Sequence, residues 1–82
     1  MYEKFLEQGL SGEELQACMN LEYKEKVKSL LKKADWKIRD DVMMYQSHTT
    51  PHLWNIYDGE PAISRPTCLT FNALTEELQP MQ

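Results

Sequence analysis

Four side chains in this sequence have the chemistry to hold a zinc ion: Cys18, His48, His52 and Cys68. Three residues separate His48 from His52, a spacing that zinc sites use. No Cys-x-x-Cys pair accompanies them, and Thr49-Thr50-Pro51 between the histidines denies them a shared helical face. Two loop histidines and a packed thiol account for the set, so no metal is expected. Catalytic chemistry is not expected either. The chain has no Gly-rich phosphate loop, no nucleophile elbow and no His-Glu-x-x-His helix. Asp40 and Asp41 are adjacent, so they point to opposite sides of a strand or mark a turn, and paired acid–base work needs convergence. Cys18 falls on an apolar helical stripe and reads as a small hydrophobe. No cofactor is implied.

A second group of residues has the chemistry to meet phosphate. Residues 21–39 carry seven bases (Lys24, Lys26, Lys28, Lys32, Lys33, Lys37, Arg39) against three acids, a local +4. The rest of the chain is −8, so the net −4 describes a dipolar molecule. Lys24, Lys28 and Lys32 fall at i, i+4 and i+8, a row that could track a phosphate backbone, with Lys37 and Arg39 following. A lysine-rich solvated helix face has the same composition.

The elements that would position these groups come next. With 82 residues there is room for a single small domain, residues 1–82, with a thin core. Eight aromatic residues and a modest net charge argue against wholesale disorder. No apolar run is long enough for a membrane span and no signal peptide opens the chain, so a cytoplasmic location and no membrane contact are expected. Tyr2, Phe5 and Leu6 predict a short first helix that stops at Gly9. Ser11 with Glu14 three residues on has the capping-box spacing, and Leu10 with Leu15 forms a hydrophobic staple for a second helix. Asn20 reads as the cap of a third helix, with Tyr23, Val27, Leu30, Leu31 and Ala34 on one face. Beyond residue 35 the period changes. Trp36 and Ile38 alternate with Lys37 and Arg39, and Val42-Met43-Met44-Tyr45 suits either strand or helix. Leu53–Tyr57 and Thr67–Phe71 read as strands, the first closed by a turn at Asp58-Gly59-Glu60-Pro61. Pro61 and Pro66 bracket an edge-like extended piece. Asn72 would cap a final short helix running to Leu78.

Residues 1–36 resemble the helix-turn-helix and winged-helix DNA-binding superfamily. The resemblance is carried by Gly9, Ser11, Glu14, Leu15, Met19, Asn20, Leu21, Val27, Leu30 and Leu31, with Asn20 where the signature usually has Gly. It implies an α+β fold: an N-terminal three-helix helix-turn-helix, a small antiparallel sheet serving as a wing, and a short C-terminal helix. It also implies a non-catalytic transcriptional regulator. Helix three would dock on DNA with Lys24, Lys28, Lys32, Lys37 and Arg39 on phosphates, and a homodimer would be expected because one such module buries little surface. Glu22 and Glu25 stand where base contacts would fall, and no arginine lies on that helix to read guanine.

The competing expectation is an acidic protein-interaction module, an inhibitor or adaptor. Its anchors would be Met43, Met44, Trp54 and Tyr57, residue types favoured at interfaces. The same four suit a core, because a chain this small needs its tryptophans inside.

Overall fold

The computed structural model describes residues 2–39, 41–59 and 63–80. Two helices, α1 (Tyr2–Glu7) and α2 (Gly12–Lys33), precede four strands: β1 (Val42–Gln46), β2 (Leu53–Asp58), β3 (Arg65–Asn72) and β4 (Glu77–Pro80). The strands form one antiparallel sheet in the order β1-β2-β3-β4.

The expected second and third helices are one helix of 22 residues, so the described residues form no helix-turn-helix. The physical reason lies in the sequence. No glycine or proline occurs between Gly12 and Pro51, and Asn20 alone does not stop a helix whose apolar stripe runs on unbroken. Leu15, Met19, Tyr23, Val27 and Leu31 recur every four residues and are all buried. Burial of each such side chain contributes about 1.5–3 kcal/mol, far more than the roughly 0.7 kcal/mol that an interior Asn costs.

Both helices end where the chain turns left-handed. Gly9 (φ 78°) ends α1, with Leu10 N–H donating to the Phe5 carbonyl. At the end of α2 the left-handed residue is Asp35 (φ 61°), and Trp36 N–H donates to the Leu31 carbonyl at 2.9 Å. These are Schellman closures, and the second folds Trp36 back onto the core. Ser11 stands at the start of α2 as expected, but its side chain makes no cap hydrogen bond.

Residues 36–39, expected to alternate as a strand, form an irregular connection. The segment 42–46 is strand. A final helix after Asn72 is absent as well: residues 73–76 make the turn between β3 and β4, with Glu76 in the left-handed region (φ 59°) and its N–H donating to the Asn72 carbonyl. The strands expected at Leu53–Tyr57 and Thr67–Phe71 lie within β2 and β3. Glu60 and Pro61 of the expected turn, and Asp40, lie outside the described residues. Pro66 is tolerated in β3 because β4 pairs only with residues 69–72, which leaves that end of β3 without an outer neighbour.

Helix α2 covers one face of the sheet. Val42 and Met44 of β1, Trp54 and Ile56 of β2 and Phe71 of β3 meet its stripe, and Tyr2 and Phe5 of α1 close the end near Trp54. Tyr23 sets its ring 5.2 Å from that of Phe71. Burial, followed by the nearby Glu76 carboxylate, pushes its phenol up from the ordinary tyrosine value. The alternate positions, Met43, Tyr45, Asn55, Tyr57 and Thr70, point to the opposite face, which no helix covers among the described residues.

Asn20 has its own task in this architecture. Ser47 N–H donates to the Leu53 carbonyl and Gly59 N–H to the Asp41 carbonyl. By the alternation of an antiparallel ladder, the backbone groups of Val42, Met44 and Gln46 therefore face away from β2. The Asn20 amide answers both groups of Met44, accepting from its N–H at 2.8 Å and donating to its carbonyl at 3.1 Å. Asp41 accepts from the Val42 N–H at 2.9 Å. Two side chains thus occupy most of the β1 edge, and Pro80 at the end of β4 has no N–H to offer a new strand.

Candidate functional site

Of the residues expected to contact phosphate, Lys24, Lys28 and Lys32 lie in a row on α2 and Lys37 and Arg39 follow it, but several already have partners. Lys24 and Lys28 project from α2 onto one carboxylate, that of Asp41, at 2.9 and 3.2 Å. Burial pushes the Asp41 carboxyl up, but hydrogen bonds from Lys24, the Val42 N–H and Lys28 outweigh it and hold the group below its ordinary value. Lys32 is exposed in the last turn of α2. Lys37 and Arg39 lie in the connection after it, and the Arg39 guanidinium donates to the Ile63 carbonyl at 3.4 Å. No single helical row presents all five.

A second carboxylate organises that connection. Asp58 is fully buried. It accepts from the Arg39 N–H at 3.1 Å, from Trp36 Nε1 at 3.2 Å and from Arg65 Nε and a terminal guanidinium nitrogen at 3.2 and 3.0 Å. Arg65 also stacks 5.2 Å above the Trp36 ring. Burial alone would raise the Asp58 carboxyl; these donors together lower it below the usual aspartate value. The network fastens residues 36–39 to the end of β2. A buried carboxylate so fully engaged holds structure and has no lone pair directed at a substrate.

The expected partner anchors divide cleanly. Met44 and Trp54 are core residues, 1% and 0% exposed. Met43 and Tyr57 are register partners on the open face of the sheet. Sequence reasoning missed Tyr45 and Asn55 beside them. Tyr45 meets Tyr57 edge to face with ring centres 5.4 Å apart, and Asn55 pairs with Tyr45 in register. Neither phenol, nor the Asn55 amide, has a hydrogen-bond partner among the described residues. Strand alternation carried the missing signal, because Trp54 and Ile56 inward puts Asn55 and Tyr57 outward. Across β3 and β4 the same parity continues through Thr70, which is buried and donates its hydroxyl to the Gln79 carbonyl at 3.1 Å, to the partly exposed Gln79. Glu77 at one corner is the only ionised side chain at these outward positions.

At the end of β1, between that strand and the start of α2, lies a groove of about 540 Å³ lined by Gly12, Glu13 and Gln16 of α2, Tyr45 and Gln46 of β1, and Ser47, His48 and Pro51 of the β1–β2 loop. Tyr45 belongs to both surfaces. Among the described residues, no three His, Cys, Asp or Glu side chains gather as a metal site. Cys18 is half-buried on α2, whereas Cys68 is exposed on a β3 bulge. Likewise no described helix is long and apolar enough to cross a membrane. Set against family models, characterised proteins and solved structures, the chain matches none of them.

Proposed function

We propose that this chain is a non-catalytic protein-binding module that receives its partner on the open face of the sheet. The observation that carries this reading is the Tyr45–Tyr57 pair with Met43 and Asn55 around it, on a face that no described helix covers. Tyrosine offers a large, stiff, amphipathic contact area with little entropy to lose, and amide and hydroxyl neighbours adapt their hydrogen bonds to a partner. Charge is depleted there, as in the centres of protein interfaces. The guarded strand edges favour docking across the face over strand addition along most of β1.

Duplex DNA as partner draws less support, because Lys24 and Lys28 already serve Asp41 and the helical pair that would seat them in a groove is one continuous helix.

The test compares the intact chain with Tyr57→Ala and Met43→Lys as bait in extracts of the source cells. A partner retained by the intact chain and lost by both folded variants is the expected result. Retention by both variants, or salt-sensitive binding of duplex DNA that Lys32→Glu abolishes, would overturn the reading.

A further inference from the structure

We propose that the groove between the start of α2 and the end of β1 takes an extended, basic peptide segment of a partner chain, which pairs with β1 at Gln46. The inference extends the protein-binding reading to a second surface with its own contacts. Along the outward edge of β1 the guards run out in order. Asp41 answers the Val42 N–H, Asn20 answers both groups of Met44, and no described group answers either the N–H or the carbonyl of Gln46. The groove lies at that position. At about 540 Å³ and open along one side, it is a space an extended segment can lie along. An unanswered donor and acceptor on one strand residue are what an incoming strand satisfies.

The side chains around Gln46 suit a peptide. Gln16 faces it from α2, and Tyr45 and Pro51 supply apolar walls. The Gln46 side chain is held back by its own bond to the Pro51 carbonyl at 2.9 Å, so it does not fill the space. Charge selects the segment. Glu13 lines the groove, and Glu14 beside it also lies in the first turn of α2. The full charge of Glu13, the carboxylate in the lining, exceeds the half-charge that a helix start presents, which leaves the mouth acidic and favours lysine or arginine in the guest.

The test begins with the free protein: the Gln46 amide should exchange with solvent faster than the Met44 amide by at least about tenfold, since only the latter is bonded. Equal protection would mean that the edge is already closed, and the proposal falls. The intact protein is then panned against a random linear heptapeptide display library, and the selected peptides are titrated into isotope-labelled protein. Enrichment of basic peptides, slowed exchange at Gln46, and affinity weakened about tenfold or more by Gln16→Trp are expected. No enrichment, or peptides that bind Gln16→Trp equally well, would overturn the proposal. Met43→Lys, which alters the sheet face at a residue that does not line the groove, should keep this peptide binding, so failure of the groove and failure of the sheet face give different results.

Discussion

Replacing Asn20 with alanine removes the side chain that ties α2 to the β1 edge. Its amide makes two bonds to the backbone of Met44, at 2.8 and 3.1 Å, and Met44 is 1% exposed. Each backbone group left buried and unpaired costs about 1–3 kcal/mol. Alanine returns roughly 0.7 kcal/mol through its better helix propensity. The expected loss is therefore about 1–5 kcal/mol, against a total of roughly 4–12 kcal/mol for a chain of this length. Urea unfolding followed by far-ultraviolet circular dichroism measures it, with Leu21→Ala as the companion variant. Leu21 lies on the same helix and is 82% exposed, so its truncation should change stability by no more than about 0.5 kcal/mol. A loss below about 1 kcal/mol for Asn20→Ala, or a loss matched by Leu21→Ala, would refute the argument that Asn20 closes the edge.

Acid should act through Asp41 and Asp58, both held below the ordinary aspartate value, and Asp58 is the buried one. Its folded carboxyl titrates below the unfolded value, so its contribution is fully present above the ordinary aspartate range and lost as pH falls through the depressed value. Stability measured between pH 7 and pH 2 should drop at the acid end, and Asp58→Asn should flatten that drop while lowering stability at pH 7. An unchanged acid profile in the variant would remove Asp58 from this role. Cys68 is exposed at φ 60°, a conformation that only glycine adopts without strain. Cys68→Gly should raise stability by up to about 1 kcal/mol in the same unfolding assay, and a loss would refute the strain argument.

What could be read in the sequence depended on how local the signal was. Gly9 ended a helix, Ser11 preceded one, and Leu53–Tyr57 made a strand, because each rests on a few neighbouring residues. The error at Asn20 came from weighing one residue against its neighbours in sequence. Asn is a good cap, but here its amide is taken by Met44, 24 residues away, a partner that no local pattern reveals. The stripe from Leu15 to Leu31 was already evidence for a single helix. Residues 73–76 looked helical for the same reason: pairing of β4 with β3 decides that segment. Of the proposed surface, Met43 and Tyr57 were legible by residue type. Tyr45 and Asn55 became legible only through the face on which the strands placed them. Lys24 and Lys28 were visible as a charged row, but their shared counterion, Asp41, was not.

The sequential order of the four strands has a kinetic consequence. Each strand pairs with the one made just before it, and α2 contacts chiefly β1, the first strand after it. Chains whose contacts are short in sequence fold fast. During synthesis, α2 and the β1–β2 hairpin have their mutual partners before β4 leaves the ribosome. Among the longer links, Tyr2 against Trp54 closes the N-terminal helix, and Tyr23 against Phe71 and Lys26 with Glu76 at 2.9 Å join α2 to the last hairpin. Late closure of that hairpin under α2 predicts that substitutions there speed unfolding more than they slow folding, which stopped-flow unfolding and refolding of Lys26→Ala would measure; a slowing of folding alone would refute it.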